Sequence, residues 1–332
     1  MLKCWWVIQV QNHDAKALKT DMDTDPKNIL VIKQSAFGDF ILALGAMEAI
    51  RKHHPKDYIT CMTTKPFVDM AERSGYFDRV EETPRLKWYD ISGWKQRRKR
   101  FSYGNFDRVY DLQMNGQTAR YHRLFSKKKR PEWSGIVKGS SLSCDEVNWR
   151  DMHAFERHAD VLKLAGIEKI RFPNLSWMKS DVSHLDIKEP FVLLIPGCAP
   201  TRPEKRWPAM KYAGMARHLI RDGYNVVLLG TAAEADVIST IKTACPDVID
   251  LSERTGFFEM ATLAQKAHFA IGNDTGPTHL IAMTGCPTLA LFSGASDPKQ
   301  SAPRGADVTV LQSDDLKDLD VMDVKRQFKP RK

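Results

Sequence analysis
The chain has 332 residues, enough for two domains with separate cores and too many for a peptide hormone or a lone small module. Lysine and arginine number 50 against 41 aspartates and glutamates, and the formal net charge of +9 points to an anionic partner: nucleic acid, a membrane surface or a phosphorylated substrate. Hydrophobic residues at 42% and charged residues at 27% are a globular balance that excludes long disorder.

Six cysteines, Cys4, Cys61, Cys144, Cys198, Cys245 and Cys286, form no C-x-x-C pair and no Cys/His cluster at metal-ligand spacing. A reducing compartment without structural zinc is expected. The first ten residues carry one cation and a short apolar stretch, but no small-residue cleavage site follows, so a signal peptide is not expected. No apolar run approaches the ~18 residues that cross a bilayer, which leaves a soluble cytoplasmic protein with at most peripheral membrane contact as the expectation.

Residues 1–27 fit nothing downstream and read as an N-terminal extension, with Met22 as an alternative start. Regular pattern begins at Asn28: an apolar run Ile29 to Ile32, a polar turn Gln34 to Asp39, then Phe40, Leu44 and Met47 at helical spacing. His53, His54 and Pro55 end that helix, Tyr58 to Met62 alternates as a second strand, and Pro66 opens a helix closed by Gly75. A further strand, Arg108 to Leu112, follows the basic, aromatic-dotted stretch Trp94 to Phe101. The segment Lys127 to Leu185 is the least periodic, and the polar stretch Lys179 to Glu189 before Pro190 marks the expected boundary, splitting the chain into 28–185 and 186–332.

A second unit then begins with Phe191 to Ile195, the continuous apolar run that a buried parallel strand needs. Pro208 opens a helix with Tyr212, Met215, Ala216 and Leu219 on one face, and Gly223 stops it. Strands at Val226–Leu229, Phe269–Ile271 and Thr288–Phe292 alternate with helices at Ala233–Cys245 and Phe257–Ala267. The expected fold is therefore α/β, two doubly wound, Rossmann-like halves facing a cleft, with ligands at the carboxyl ends of the strands.

Four strand-ending loops carry more polar residues than a plain connection needs. In Ser35-Ala36-Phe37-Gly38-Asp39, Gly38 permits a tight backbone, and Asp39 is either a helix cap or a general base facing the cleft. The loop Pro196 to Pro208 holds Lys205 and Arg206, which either belong to a solvated basic loop or add cations to a helix N-terminus. Glu234, after the strand ending at Leu229, either complements a helix dipole or accepts bonds from ribose hydroxyls. Gly272-Asn273-Asp274-Thr275-Gly276-Pro277-Thr278-His279 is the most specific, since a simple turn needs fewer residues that are costly to order. Its flexible turn before a helix suits a phosphate.

Absences narrow the choice. No G-x-G-x-x-G, G-x-x-x-x-G-K-[ST] or G-x-S-x-G follows any strand, which removes the main support for dinucleotide oxidoreductases, P-loop enzymes and α/β-hydrolases. Asp23-Thr24-Asp25 resembles a metal-holding acidic triplet but precedes the first strand. His153 and His158, five apart, fall on different helix faces and make no metal pair.

Taken together, the segments Asn28 to Leu44, Pro203-Glu-Lys-Arg-Trp-Pro208 and Gly272 to Leu280 resemble glycosyltransferase family nine, the ADP-heptose:lipopolysaccharide heptosyltransferases and their relatives. The resemblance implies a two-domain B-type glycosyltransferase fold, acceptor bound in front and nucleotide sugar behind, with inversion at the anomeric carbon and no obligatory metal. It implies that Asp39 is the catalytic base, that Lys205 is the cation on the donor diphosphate with Thr201 beside it, and that Glu234 holds the ribose. Gly38 belongs to the first of these loops, and Asp274, Thr275, Gly276 and His279 to the loop that meets the diphosphate. The implied donor is ADP-heptose, a substrate and not a cofactor; the implied acceptor is the lipopolysaccharide inner core or another lipid-linked glycan at the inner membrane face. The runs Arg97 to Arg100 and Lys127 to Arg130 lie in the acceptor half, and nucleic acid is the rival explanation of their charge, although no nucleic-acid motif accompanies them. The rival function is a non-catalytic nucleotide-binding protein of the same fold, which would not require Asp39.

Overall fold
The computed structural model describes residues 25–144 and 151–331. The extension up to residue 24, including Met22, Asp23 and Thr24, lies outside the described residues. The first half runs β1 (Asn28–Ile32), α1 (Phe37–His53), β2 (Tyr58–Thr63), α2 (Val68–Arg73), β3 (Arg79–Glu82), α3 (Ile91–Tyr103), β4 (Arg108–Asp111), α4 (Gly116–His122), β5 (Glu132–Gly135), β6 (Leu142–Ser143) and α5 (Ala154–Lys163). The second runs β7 (Phe191–Ile195), α6 (Ala209–Arg221), β8 (Asn225–Leu228), α7 (Ala235–Ala244), β9 (Ile249–Asp250), α8 (Phe257–Lys266), β10 (Phe269–Asn273), α9 (Gly276–Met283), β11 (Thr288–Ser293), α10 (Pro298–Ser301), β12 (Val308–Ser313) and α11 (Val321–Arg326).

Each half builds a six-stranded sheet, in the orders β3-β2-β1-β4-β5-β6 and β12-β11-β10-β7-β8-β9. Renumbered from its own first strand, the second order is the mirror reading of the first, so the halves share one doubly wound topology. All pairings are parallel; Ile29 lies level with Ile59 on one side and Arg108 on the other. The central strands β1 and β7 are apolar runs with almost every side chain buried, as strands covered on both faces must be.

Several edge elements depart from the expected pattern. The strand β3 is the charged run Arg-Val-Glu-Glu, only partly buried, and it escapes a search for apolar strands. The stretch expected as basic connection is helix α3, whose buried side chains are Arg97 and Phe101, four residues apart on one face. Pro208 is the residue before α6 and not its first helical residue. The poorly periodic region contains β5, β6 and α5.

Apolar contact does not stop between the halves. Phe40, Ile41 and Met47 of α1 belong to one continuous buried cluster with Leu193, Phe258, Leu280 and Ile281 from the second half. Among the described residues no helix is long and apolar enough to cross a membrane.

Candidate active site
In each sheet the chain leaves two adjacent central strands in opposite directions, opening a crevice at their carboxyl ends. A side-chain amide spans each crevice. In the first half Gln113 Oε1 accepts the backbone N–H groups of Gln34 at 2.7 Å and Ser35 at 2.9 Å, tying the loop after β4 to the loop after β1. In the second, Asn273 is fully buried, and its Nδ2 donates to the Pro196 and Gly197 carbonyls at 2.8 and 3.1 Å. Its Oδ1 accepts from the Trp207 N–H at 3.0 Å and the Tyr212 hydroxyl at 3.1 Å, so all of its polar capacity goes into fixing two loops.

Asp39 is the third residue of α1. Its Oδ2 accepts the Ala36 N–H at 3.2 Å, so the carboxylate does help close the helix start, from inside the first turn and not from the preceding residue. It is nonetheless exposed. Cations stand behind it. Lys33, buried at the end of β1, donates to the Leu112 carbonyl at 3.1 Å; burial pushes its amine down to about 8, against the opposing pull of Asp39 and Asp111. Asp111 is fully buried, and burial raises its carboxyl to about 6 although Thr118 and the Met114 and Gln113 N–H groups donate to it. Arg157 is held below its usual range by burial and supported by the Asp39 charge.

The loop carrying Asp39 presses directly on the second half. A Cβ added to Gly38 would lie 2.8 Å from His279 Cδ2, and one added to Gly276 would lie 2.4 Å from Phe37 Cδ1. Phe37 stacks on Phe257 with ring centroids 4.2 Å apart and planes at 23°. Glycine at positions 38 and 276 is what allows the starts of α1 and α9 to touch.

Beyond that contact lies a cavity of about 430 Å³ lined by Phe37, Ile195, Gly197, Leu229, Glu234, Phe257, Met260 and Thr275 among others. Its size and largely apolar walls with few polar groups suit a nucleoside. Lys205 Nζ stands 2.6 Å from Asp274 Oδ2, and His279 Nε2 lies 3.8 Å from Asp274 Oδ1. Burial alone would raise the Asp274 carboxyl, yet His279 and Lys205 hold it down at about 2. Thr275 precedes α9, its side chain making no capping bond, and Pro277 occupies the first turn; both line the cavity. Glu234 is buried; its Oε2 accepts from the Thr231 N–H at 2.8 Å and hydroxyl at 2.6 Å. The carboxylate thus does cap its short helix, while a Cβ on Gly197 would come within 2.6 Å of Glu234 Cγ, placing that side chain against the Pro196–Pro208 loop.

The structure brings Gly38, Asp39, Asp274, Thr275, Gly276 and His279 together where the halves meet, and Lys205 joins them through Asp274. Thr201 is exposed in the same loop as Lys205 and does not line the cavity. Of the run Arg97 to Arg100, Arg97 is buried, its guanidinium 4.9 Å from the Tyr121 ring and donating to the Pro84 carbonyl, so it packs α3 and is not offered to a ligand. Arg98, Lys99, Arg100 and Lys127 to Arg130 are exposed. His153 precedes α5 and His158 is buried within it, and each donates its Nε2–H to a different backbone carbonyl, of Ala302 and Leu112 respectively. Among the described residues no three His, Cys, Asp or Glu side chains cluster as metal ligands would. Sequence reasoning missed Lys33, Phe37 and Phe257. A lysine closing an apolar strand and a phenylalanine inside a polar turn are the signals that would have found the first two.

The profile of glycosyltransferase family 9 (heptosyltransferase) matches residues 90–329. Lipopolysaccharide heptosyltransferase 2 of Salmonella typhimurium is 32% identical over 308 residues, covering 86% of this chain and 87% of the relative. A glycosyltransferase family 9 protein from Veillonella parvula has the same fold at a TM-score of 0.73 and 22% identity, over 87% of this chain and 86% of that one. The E. coli heptosyltransferase WaaC with ADP-2-deoxy-2-fluoro heptose gives a TM-score of 0.68 at 20% identity, over 90% and 98% of the two chains. With two doubly wound halves meeting at the loops that suggested it, and with more than half of its length matched, the chain is a glycosyltransferase and belongs to family 9, the heptosyltransferases.

Proposed function
We propose that this enzyme transfers heptose from ADP-heptose to the lipopolysaccharide inner core, with inversion, at the cytoplasmic face of the inner membrane. The observation that supports the reading is the contact of the two helix starts, Gly38 against His279 and Gly276 against Phe37, which brings the turn of chain that carries Asp39 against the Asp274 to His279 loop. Residues 28–185 take the acceptor and residues 186–332 the donor.

In this mechanism the acceptor hydroxyl gives its proton to Asp39 as its oxygen bonds to the anomeric carbon. The bond from that carbon to the diphosphate breaks on the opposite face, and ADP leaves with the electron pair. Lys33 and Arg157 are the cations on which the Asp39 charge acts. Lys205 and the N–H groups at the start of α9 face the charge growing on the leaving diphosphate, where preorganised donors are worth about 3 kcal/mol each. The base and ribose of the nucleotide enter the 430 Å³ cavity, with Glu234 on the ribose hydroxyls. Asp39→Asn keeps shape and removes the base. The expected result is ADP binding within about threefold of wild type by calorimetry and transfer reduced by at least about a hundredfold, the lower range of general-base effects. Wild-type turnover in that variant would remove Asp39 from the mechanism.

A further inference from the structure
Large hydrophobic side chains that remain exposed are unevenly distributed on this protein. Of nine among the described residues, four fall in a single short stretch: Trp88 at 78% exposure, Tyr89 at 57%, Ile91 at 69% and Tyr103 at 74%. Residues 84–103 also hold seven cations against one acid, Asp90, whose Oδ1 is occupied in accepting the Gly93 N–H at the start of α3. Six of the cations are exposed: Arg85, Lys87, Lys95, Arg98, Lys99 and Arg100.

The surface is held rigidly outward. Arg97 and Phe101 fasten the inner face of α3, the latter stacking on Phe125 with centroids 4.7 Å apart, so the helix cannot roll to bury its outer face. Trp88 and Tyr89 meet edge to face at 5.5 Å, and the Lys87 and Lys99 ammonium groups lie 5.6 and 5.8 Å from the Tyr89 and Tyr103 rings. Aromatic rings with an apolar body and a polar tip, interspersed with long cations, are the composition favoured at the boundary between lipid headgroups and acyl chains. A second copy of the chain would bring six exposed cations against six more, whereas an anionic lipid surface complements them.

Position completes the case. The stretch begins at the carboxyl end of β3, where Thr83 Oγ1 accepts from Gln34 Nε2 at 3.1 Å, and Gln34 adjoins the loop that leads to Asp39. Gln117 ties the same stretch to α4 by donating to the Leu86 carbonyl at 3.0 Å. The aromatic and cationic surface and the catalytic loop thus share one rim of the first sheet.

We propose that residues 84–103 seat the enzyme on an anionic phospholipid bilayer, with Trp88, Tyr89 and Ile91 in the headgroup layer and the surrounding cations on lipid phosphates. This rests on the reading that the acceptor is lipid-linked: the seat presents such an acceptor to Asp39 without extracting it from the bilayer.

Flotation of the full chain with vesicles tests it. Wild type is expected to float with vesicles of phosphatidylethanolamine and phosphatidylglycerol, to ignore pure phosphatidylcholine, and to lose binding in high salt. The variant W88S/Y89S/I91S, checked for native unfolding temperature, is expected to bind at least about tenfold more weakly, as loss of interfacial apolar area requires. Its transfer to a deacylated, water-soluble core acceptor should equal wild type, while transfer to acceptor in vesicles falls. Absence of wild-type flotation, or equal flotation of the variant, overturns the proposal. So does a wild-type dimer that the variant abolishes, which would assign the surface to a second copy. Flotation without transfer from any ADP-sugar would leave the seat standing and refute the functional reading instead.

Discussion
The Lys205–Asp274 pair offers the most quantitative test. Both side chains are well covered, at 17% and 7% exposure, and their atoms stand 2.6 Å apart. The Asp274 carboxyl sits at about 2 against an ordinary 3.8, although burial opposes this. At ~1.4 kcal/mol per unit, the gap is worth about 2 kcal/mol in favour of the folded state. Because the folded value is depressed, that stability is present above pH ~4 and is lost as the pH falls through about 2. Lys205→Met removes the cation and leaves a buried carboxylate with the His279 ring 3.8 Å away. The expected cost at neutral pH is about 2 kcal/mol, a fall of roughly 4–8 °C in the unfolding temperature of a unit this size. The double variant Lys205→Met/Asp274→Asn should recover part of that loss, because no buried charge is then unpaired. Calorimetric unfolding of wild type, both single variants and the double variant measures the cycle. Strict additivity, or an unchanged unfolding temperature in Lys205→Met, would refute the claim that the pair is coupled and stabilising.

Two other sites give sharp expectations. Gly276→Val drives a side chain into the space held by Phe37, since its Cβ alone would fall 2.4 Å from that ring. Overpacking should cost about 1–3 kcal/mol and lower kcat more than it weakens ADP, read by calorimetry and a transfer assay; an unchanged unfolding temperature would mean that the halves do not meet there. Lys33→Met removes a buried amine whose native value of about 8 lies below its ordinary 10.5. A depressed lysine penalises the folded state below that value, so the variant should be more stable by up to about 3 kcal/mol below pH 8, with the difference closing toward pH 10.5. Transfer should nevertheless drop, because the cation behind Asp39 is gone; a destabilised variant at pH 7 would contradict the burial cost.

What could be read from the sequence, and what could not, divides by depth in the fold. The central strands β1, β7 and β10 are short apolar runs ended by Lys33-Gln34-Ser35, Pro196-Gly197 and Gly272-Asn273-Asp274, and burial on both faces leaves little else they could be. The edge strands β3 and β12 have partly exposed side chains, so no apolar run marks them. Helix α3 eludes periodicity because its mean character is polar and one of its two buried residues is an arginine. At the site, the polar loops were legible because glycine, asparagine and aspartate in series need a reason. Phe37 was not, since an apolar residue in a loop declares its partner only when α8 brings Phe257 against it. Arg97 shows the converse error: a cation within a basic run looks available, yet its guanidinium is sheathed by Tyr121 and Pro84.

The repeated strand order has a consequence for how such an enzyme can change. Each half carries its own amide strut, Gln113 in one and Asn273 in the other, so each crevice keeps its shape by bonds internal to that half. The contact that must remain matched between the two is the apolar cluster joining α1 to α8 and α9, together with the glycines at 38 and 276 and the rings beside them. Substitutions that recut one crevice and leave that contact unchanged therefore need no compensating change in the other. Each half can vary its own crevice while the contact between them is kept.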